Sequence, residues 1–185
     1  MFRLLQGCAS IVAMRLFIAI LFSGETKERI ASIRDSLHEE ALRATYTKKE
    51  NLHLTLEFLG ELPASSLGRI RECIDSVECG PFRLTFRQLG RFRRPDGDTW
   101  YLAVDGGREL KRLQADLHKA LLEAGFKLEK RPYTAHVTLA RRVMAPVSGQ
   151  PFEAFSEMAG GVSLMLSERI DGQMVYTELY RRSLS

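Results

Sequence analysis

The chain reads as an α+β protein, two related lobes built mainly from antiparallel sheets, and three observations lead there. Short apolar strands alternate with amphipathic helices along most of the 185 residues, with strands in the majority. No linker, low-complexity run or long charge block interrupts that alternation. Two short strands of nearly the same wording, His53-Leu54-Thr55-Leu56 and His136-Val137-Thr138-Leu139, fall in corresponding halves.

The first strand is expected at Met14-Arg15-Leu16-Phe17-Ile18-Ala19-Ile20, which makes residues 1–13 an extension outside the fold and 14–185 a single bilobal domain. Residues 4–22 are apolar but broken by Gln6, Ser10 and Arg15, so they make a poor membrane span. Leu5-Gln6-Gly7-Cys8 has too little chain before it for a lipoprotein signal. A helix near 25–43 follows from Ile30, Ile33, Leu37 and Ala41, which recur at steps of three and four. Alternation then predicts a strand over 51–58, with Leu52, Leu54, Leu56 and Phe58 on one face, broken by Gly60 and Pro63. Leu67, Ile70, Ile74 and Val77 stripe a second helix. Strands over 82–89 and 99–104 flank an exposed loop over 91–98 that carries Pro95 and Gly97. A third helix over 107–124 places Leu110, Leu113, Leu117 and Leu121 together, and Gly125 stops it. The last strands are expected over 134–140, 162–166 and 174–180, the final two as a hairpin around Asp171-Gly172.

Charge and cysteine content narrow the function classes. A net charge of +4 and a pI near 9.1 permit an anionic partner without demanding one. Cys8, Cys73 and Cys79 form no C-x-x-C pair and cannot all be bridged internally. That excludes a disulfide scaffold and a zinc ribbon and fits a reducing, cytoplasmic setting.

The chemistry sits in the two His-x-Thr strands. Side chains two apart share a strand face, so His53 projects with Thr55, and His136 with Thr138, while Leu54, Leu56, Val137 and Leu139 face inward. Each strand thus offers an imidazole and a hydroxyl on its non-core side. If the lobes are related by an approximate twofold, the two faces meet across a cleft. Two imidazoles titrating near neutrality can act as one acid and one base, and threonine hydroxyls can bind anionic oxygens. A phosphodiester between them needs no metal for in-line attack by water. One such motif alone reads as exposed strand residues; two in matching positions reverse that reading. A zinc site is the rival, but two histidines without a cysteine partner or an H-E-x-x-H string support it thinly. His38 and His118 fall on helices among charges and receive no role.

These residues resemble the two-histidine (2H) phosphoesterase superfamily, and within it the RNA 2′,3′-cyclic phosphodiesterase family, also called 2′-5′ RNA ligase-like. The likeness rests on the strand 14–20, on Asn51-Leu52-His53-Leu54-Thr55-Leu56-Glu57-Phe58-Leu59-Gly60 and on His136-Val137-Thr138-Leu139-Ala140-Arg141, in that order, and covers essentially 14–182. The resemblance implies a bilobal fold with antiparallel sheets lining a central cleft and helices outside. It implies His53 as proton donor to the departing ribose 3′-oxygen and His136 as proton acceptor from water. Thr55, Thr138 and Arg141 would bind phosphate. The implied reaction opens a terminal 2′,3′-cyclic phosphate to a 2′-phosphomonoester, with 2′-5′ joining of RNA ends without ATP as related chemistry. No cofactor, metal, membrane or obligate protein partner is implied; the partner is RNA ending in a cyclic phosphate. Where family members often carry proline before the second histidine, this chain has Ala135. Strict alternation also puts Arg142, not Arg141, on the His136 face, so the assignment of Arg141 requires the strand to end or bulge after Ala140, with Arg142 as the substitute.

Substrate contacts beyond that core are less determined. Phe58 is a candidate stacking platform, although its parity with Leu54 and Leu56 favours core packing; Trp100 and Tyr101 invite the same idea, and Tyr133 is expected near the cleft. Basic stretches over 83–94 and 127–142 offer a track for a phosphate backbone, or simply a solvated face. Two alternatives stay open: a small cyclic nucleotide or ADP-ribose cyclic phosphate as substrate of the same site, and a non-catalytic RNA-binding protein.

Overall fold

The computed structural model describes residues 13–38, 43–144 and 151–185. Nine strands and three helices are formed by these residues: β1 (Ala13–Leu21), α1 (Gly24–His38), β2 (Arg43–Tyr46), β3 (His53–Pro63), α2 (Leu67–Ser76), β4 (Phe82–Phe92), β5 (Asp98–Asp105), α3 (Gly107–Glu123), β6 (His136–Met144), β7 (Phe155–Ala159), β8 (Gly161–Ile170) and β9 (Gln173–Ser183). They build a four-stranded sheet of order β3-β1-β8-β9 and a five-stranded sheet of order β2-β6-β5-β4-β7, and every strand pair is antiparallel. Setting β2 aside, β6-β5-β4-β7 repeats the layout β3-β1-β8-β9, with a His-x-Thr strand leading each. The two lobes expected from the sequence are these two sheets.

One hydrophobic core fills the space between the sheets and their helices. Leu54, Leu56, Val137 and Leu139 enter it from the motif strands, with Leu52 just ahead of β3; Ile30, Ile33, Ile70, Ile74 and the Leu110, Leu113, Leu117, Leu121 stripe enter it from the helices. Burying such side chains is worth about 1.5–3 kcal/mol each, which fixes which strand face turns inward and leaves the histidine faces outside the core. Among the described residues no helix is long and apolar enough to cross a membrane.

Several boundaries differ from the sequence expectation. The proposed extension 1–13 lies outside the described residues except Ala13, which opens β1. Helix α1 is described to His38, and β2, absent from the sequence reading, begins at Arg43. It was hidden because Arg43-Ala44-Thr45-Tyr46, although Ala44 and Tyr46 turn toward the core, is too short to establish a period and is specified by pairing with β6. Strand β7 was missed for the same reason, pairing with β4. The loop over 91–98 is shorter than expected, because β4 continues through Phe92. The closing hairpin turns on Asp171 and Gly172, both at positive φ (48° and 77°), the two-residue turn that matches strand twist.

Candidate active site

Strands β3 and β6 lie against one another where the two sheets meet. Tyr133, three residues before His136, crosses that junction and donates its hydroxyl proton to the Thr55 carbonyl at 3.1 Å. Each histidine is held by the same device. His53 Nδ1 lies 2.7 Å from the Asn51 carbonyl, and His136 Nδ1 lies 2.7 Å from the Thr134 carbonyl, two residues upstream in both motifs. A carbonyl only accepts, so Nδ1 carries the proton in each ring and the working lone pair sits on Nε2. His53 Nε2 lies 2.9 Å from Thr55 Oγ1, which donates to the neutral ring.

Aromatic rings wall both imidazoles. His53 packs on Phe17 (centroids 4.8 Å) and edge-on to Tyr176 (5.3 Å). Phe17, Ala19 and Met165, with Leu21 and Tyr176 beside them, form a second, small apolar cluster separate from the main core. His136 meets Phe92 (5.2 Å) and Tyr101 (5.3 Å), which stack on each other at 4.4 Å. Tyr101 can lie down only because Gly90 is beneath it: a Cβ there would come within 2.4 Å of the ring. Phe17 falls within the strand expected over 14–20, and no motif marks Phe17, Phe92 or Tyr176 as site residues. Strand alternation was their available signal, since Phe17 opposes Leu16 and Ile18.

A repeated bulge then decides two further positions. In β3 the register against β1 skips Leu56 and Leu59, with Gly60 at φ +73°. Leu56 and Glu57 therefore both turn inward, and Phe58 turns out, 48% exposed. The core packing that strict parity favoured for Phe58 is thus corrected: a bulge reverses parity for everything beyond it. In β6 the register against β5 skips Leu139, so Leu139 and Ala140 both point inward and Arg141 comes out on the histidine face. The fifth residue after each histidine reaches the cleft side by the same irregularity, an aromatic in one lobe and a guanidinium in the other. Arg142 adopts φ +53° and turns to Thr45 instead, its Nη2 3.4 Å from Thr45 Oγ1. Trp100 is buried in the core and offers no stacking face, whereas Tyr101 is part of the His136 wall.

Electrostatics disfavour the charged form of both imidazoles. Burial pushes His53 down from 6.5 to about 4, opposed by its bond to the Asn51 carbonyl and assisted by the Lys27, His136 and Arg141 charges. Burial likewise lowers His136, again with Arg141 contributing. One guanidinium thus bears on both rings. Burial, with help from Glu57, raises the Tyr133 phenol and keeps it a donor. Beneath the site, buried Glu57 accepts from Gln114 (3.3 Å) and lies 2.7 Å from His118 Nδ1, tying β3 to α3; His118 is thus a structural contact. Among the described residues no group of three or more His, Cys, Asp or Glu side chains is placed to hold a metal ion.

The Tyr133 strut gives a direct test. Tyr133→Phe is expected to cost about 1 kcal/mol of stability, the net worth of one such bond, and to lower kcat several-fold with little change in KM. Denaturant melts and steady-state kinetics on the same preparation check it; unchanged kcat would remove the strut from the site's geometry.

The sequence model of the 2′-5′ RNA ligase superfamily matches residues 22–160. The chain belongs to that family. Among its relatives, a protein of Aeropyrum pernix named RNA 2′,3′-cyclic phosphodiesterase is 36% identical over 115 residues, 61% of this chain and 65% of that one. One of Archaeoglobus fulgidus with the same name is 33% identical over 130 residues, 69% of this chain and 72% of its own. The match spans under two thirds of the Aeropyrum pernix protein and 44% of a Geobacillus stearothermophilus relative. A crystal structure of E. coli LigT in apo form superposes with a TM-score of 0.82 at 28% identity, covering 94% of this chain and 98% of that one. Family and fold agree with the α+β architecture.

Proposed function

We propose that this chain is a metal-independent RNA 2′,3′-cyclic phosphodiesterase that opens a terminal cyclic phosphate to a 2′-phosphomonoester. The observation that carries the reading is the matched pair of imidazoles on adjoining strands, each with Nδ1 committed to a backbone carbonyl and Nε2 on the opposite side of the ring, that of His53 beside the Thr55 hydroxyl. In this reading His136 Nε2 takes a proton from water as its oxygen attacks phosphorus. His53 Nε2 gives a proton to the ribose 3′-oxygen as the P–O3′ bond breaks, leaving phosphate on O2′. Thr138 donates to a non-bridging oxygen, Thr55 does the same once protonation of His53 Nε2 frees its hydroxyl proton, and Arg141 offsets the charge that grows on them. A ribose 5′-hydroxyl in place of water would make a 2′-5′ bond by the same proton transfers. Phe58, on the cleft side beside Phe17 (centroids 6.2 Å), supplies a ring face for the terminal base. Tyr133 spends its hydroxyl on Thr55 and serves the site as a strut.

The test is an oligoribonucleotide ending in a 2′,3′-cyclic phosphate, incubated with the protein with and without EDTA. Conversion to the 2′-phosphate at equal rates is expected. No turnover, a 3′-phosphate product, or inactivation by EDTA that added divalent metal reverses would each overturn the reading.

A further inference from the structure

A second basic site adjoins the cleft and takes no part in the proton transfers. At the outer end of β6 a cavity of about 320 Å³ is lined by Arg43, Ala44, Thr45, Asp96, Arg142 and Met144. Its position relative to the histidines follows from strand pairing. Thr45 is the cross-strand partner of Arg141, and paired residues share a sheet face, so the cavity continues the surface that carries His136, Thr138 and Arg141. At a rise of about 3.3 Å per residue, Arg142 sits roughly 10–13 Å along β6 from Thr138.

The cavity is built by an unusual backbone. Arg142 holds φ +53°, a left-handed conformation that side-chain-bearing residues rarely adopt and that surrounding structure must enforce. Gly97, in the turn between β4 and β5, lies directly against it: a Cβ on Gly97 would fall 2.7 Å from the Arg142 carbonyl carbon. The kink sends consecutive guanidiniums to different tasks, Arg141 toward the imidazoles and Arg142 toward Thr45 and the cavity. Two guanidiniums and a hydroxyl face one carboxylate, Asp96, which leaves the cavity net positive. It lies too far from the imidazoles for the phosphate being cleaved, and within reach of the next ones along a chain.

Resting on the phosphodiesterase reading, we propose that Arg43, Thr45 and Arg142 form a subsite for an internal phosphodiester of the RNA whose 3′ end occupies the two-histidine cleft. The subsite makes the enzyme prefer the end of a polynucleotide over a free cyclic mononucleotide, with Arg142 giving its charge-assisted bonds to phosphate oxygens and Asp96 tempering affinity so that product leaves.

Arg142→Gly and Arg43→Ala, singly and together, test this. Glycine tolerates the positive φ at 142, so the guanidinium is removed without disturbing the kink. For a short oligonucleotide ending in a 2′,3′-cyclic phosphate, the double variant is expected to raise KM about tenfold. It should also flatten the dependence of log(kcat/KM) on log salt by about one unit per arginine removed. Asp96→Asn should lower KM for the same substrate. Cyclic CMP, too short to reach the subsite, should be turned over as by the parent protein. An oligonucleotide KM and salt slope unmoved by both substitutions would overturn the proposal, as would equal losses on the two substrates, which would place these arginines in the reaction itself. Should the parent protein turn over neither substrate, the phosphodiesterase reading fails. The subsite is then judged by fluorescence anisotropy of a labelled single-stranded RNA: weakening by both substitutions supports it, and unchanged affinity sinks it.

Discussion

Replacing either His53 or His136 with alanine is expected to lower turnover of a cyclic-phosphate RNA end by about 10²–10⁴-fold, the usual worth of one positioned proton transfer. The two losses should not multiply, because bond formation to water and bond breaking at the 3′-oxygen share one transition state and the imidazoles act as a unit. Thr55, Thr138 and Arg141 would still stabilise the phosphorane charge, so residual rate above background should persist in both variants. Alanine at 53 also empties space between Phe17 and Tyr176, which pack on the imidazole at 4.8 and 5.3 Å. His53→Asn is the companion variant, since its amide can still donate to the Asn51 carbonyl without offering a group at the Nε2 position. Folding is checked by thermal melts and near-ultraviolet circular dichroism. A folded His53→Asn or His136→Ala protein with full activity would end the two-histidine mechanism.

The second large effect is on pH. The competent free enzyme has His53 as an imidazolium and His136 as a neutral imidazole. Burial holds both imidazoles below 6.5, His53 at about 4, so near neutrality most unliganded molecules have neither ring charged. The optimum of kcat/KM is therefore expected on the acid side of 6.5, with a fall approaching tenfold per pH unit above it. In the complex the anionic phosphate beside His53 favours imidazolium and opposes the burial penalty. The alkaline limb of kcat should accordingly lie at higher pH than that of kcat/KM. Both profiles, measured from about pH 5 to pH 8 on an oligonucleotide substrate, test this. A kcat/KM flat to the alkaline end, or limbs that coincide, would show that burial does not hold the rings neutral. Burial has a further use: an imidazolium that its surroundings disfavour is a stronger acid toward the departing ribose oxygen.

The same two motifs show how far local pattern reaches. His53 with Thr55, and His136 with Thr138, were legible as shared faces because side-chain alternation is a property of a single strand. The helix stripes were legible for the same reason, and the Leu110, Leu113, Leu117 and Leu121 face is buried as its spacing requires. Phe58 and Arg141 were not legible from alternation alone. Their facing depends on residues skipped in the pairing of β3 with β1 and of β6 with β5, and those partners lie far away along the chain. Strand β2 was invisible for a related cause, since four residues are too few to establish a period and gain their identity from β6.

The sequence by itself determined the fold class, the two His-x-Thr strands and which of their faces lies away from the core, because hydrophobic burial acts on each strand through its own two-residue repeat. Only the tertiary structure decided that β3 and β6 adjoin, that bulges deliver Phe58 and Arg141 to the cleft side, and that Phe17, Tyr176, Phe92 and Tyr101 wall the imidazoles. Those outcomes rest on register between distant strands and on the space one side chain leaves another, as Gly90 does for Tyr101, and neither quantity is written in any local stretch of chain.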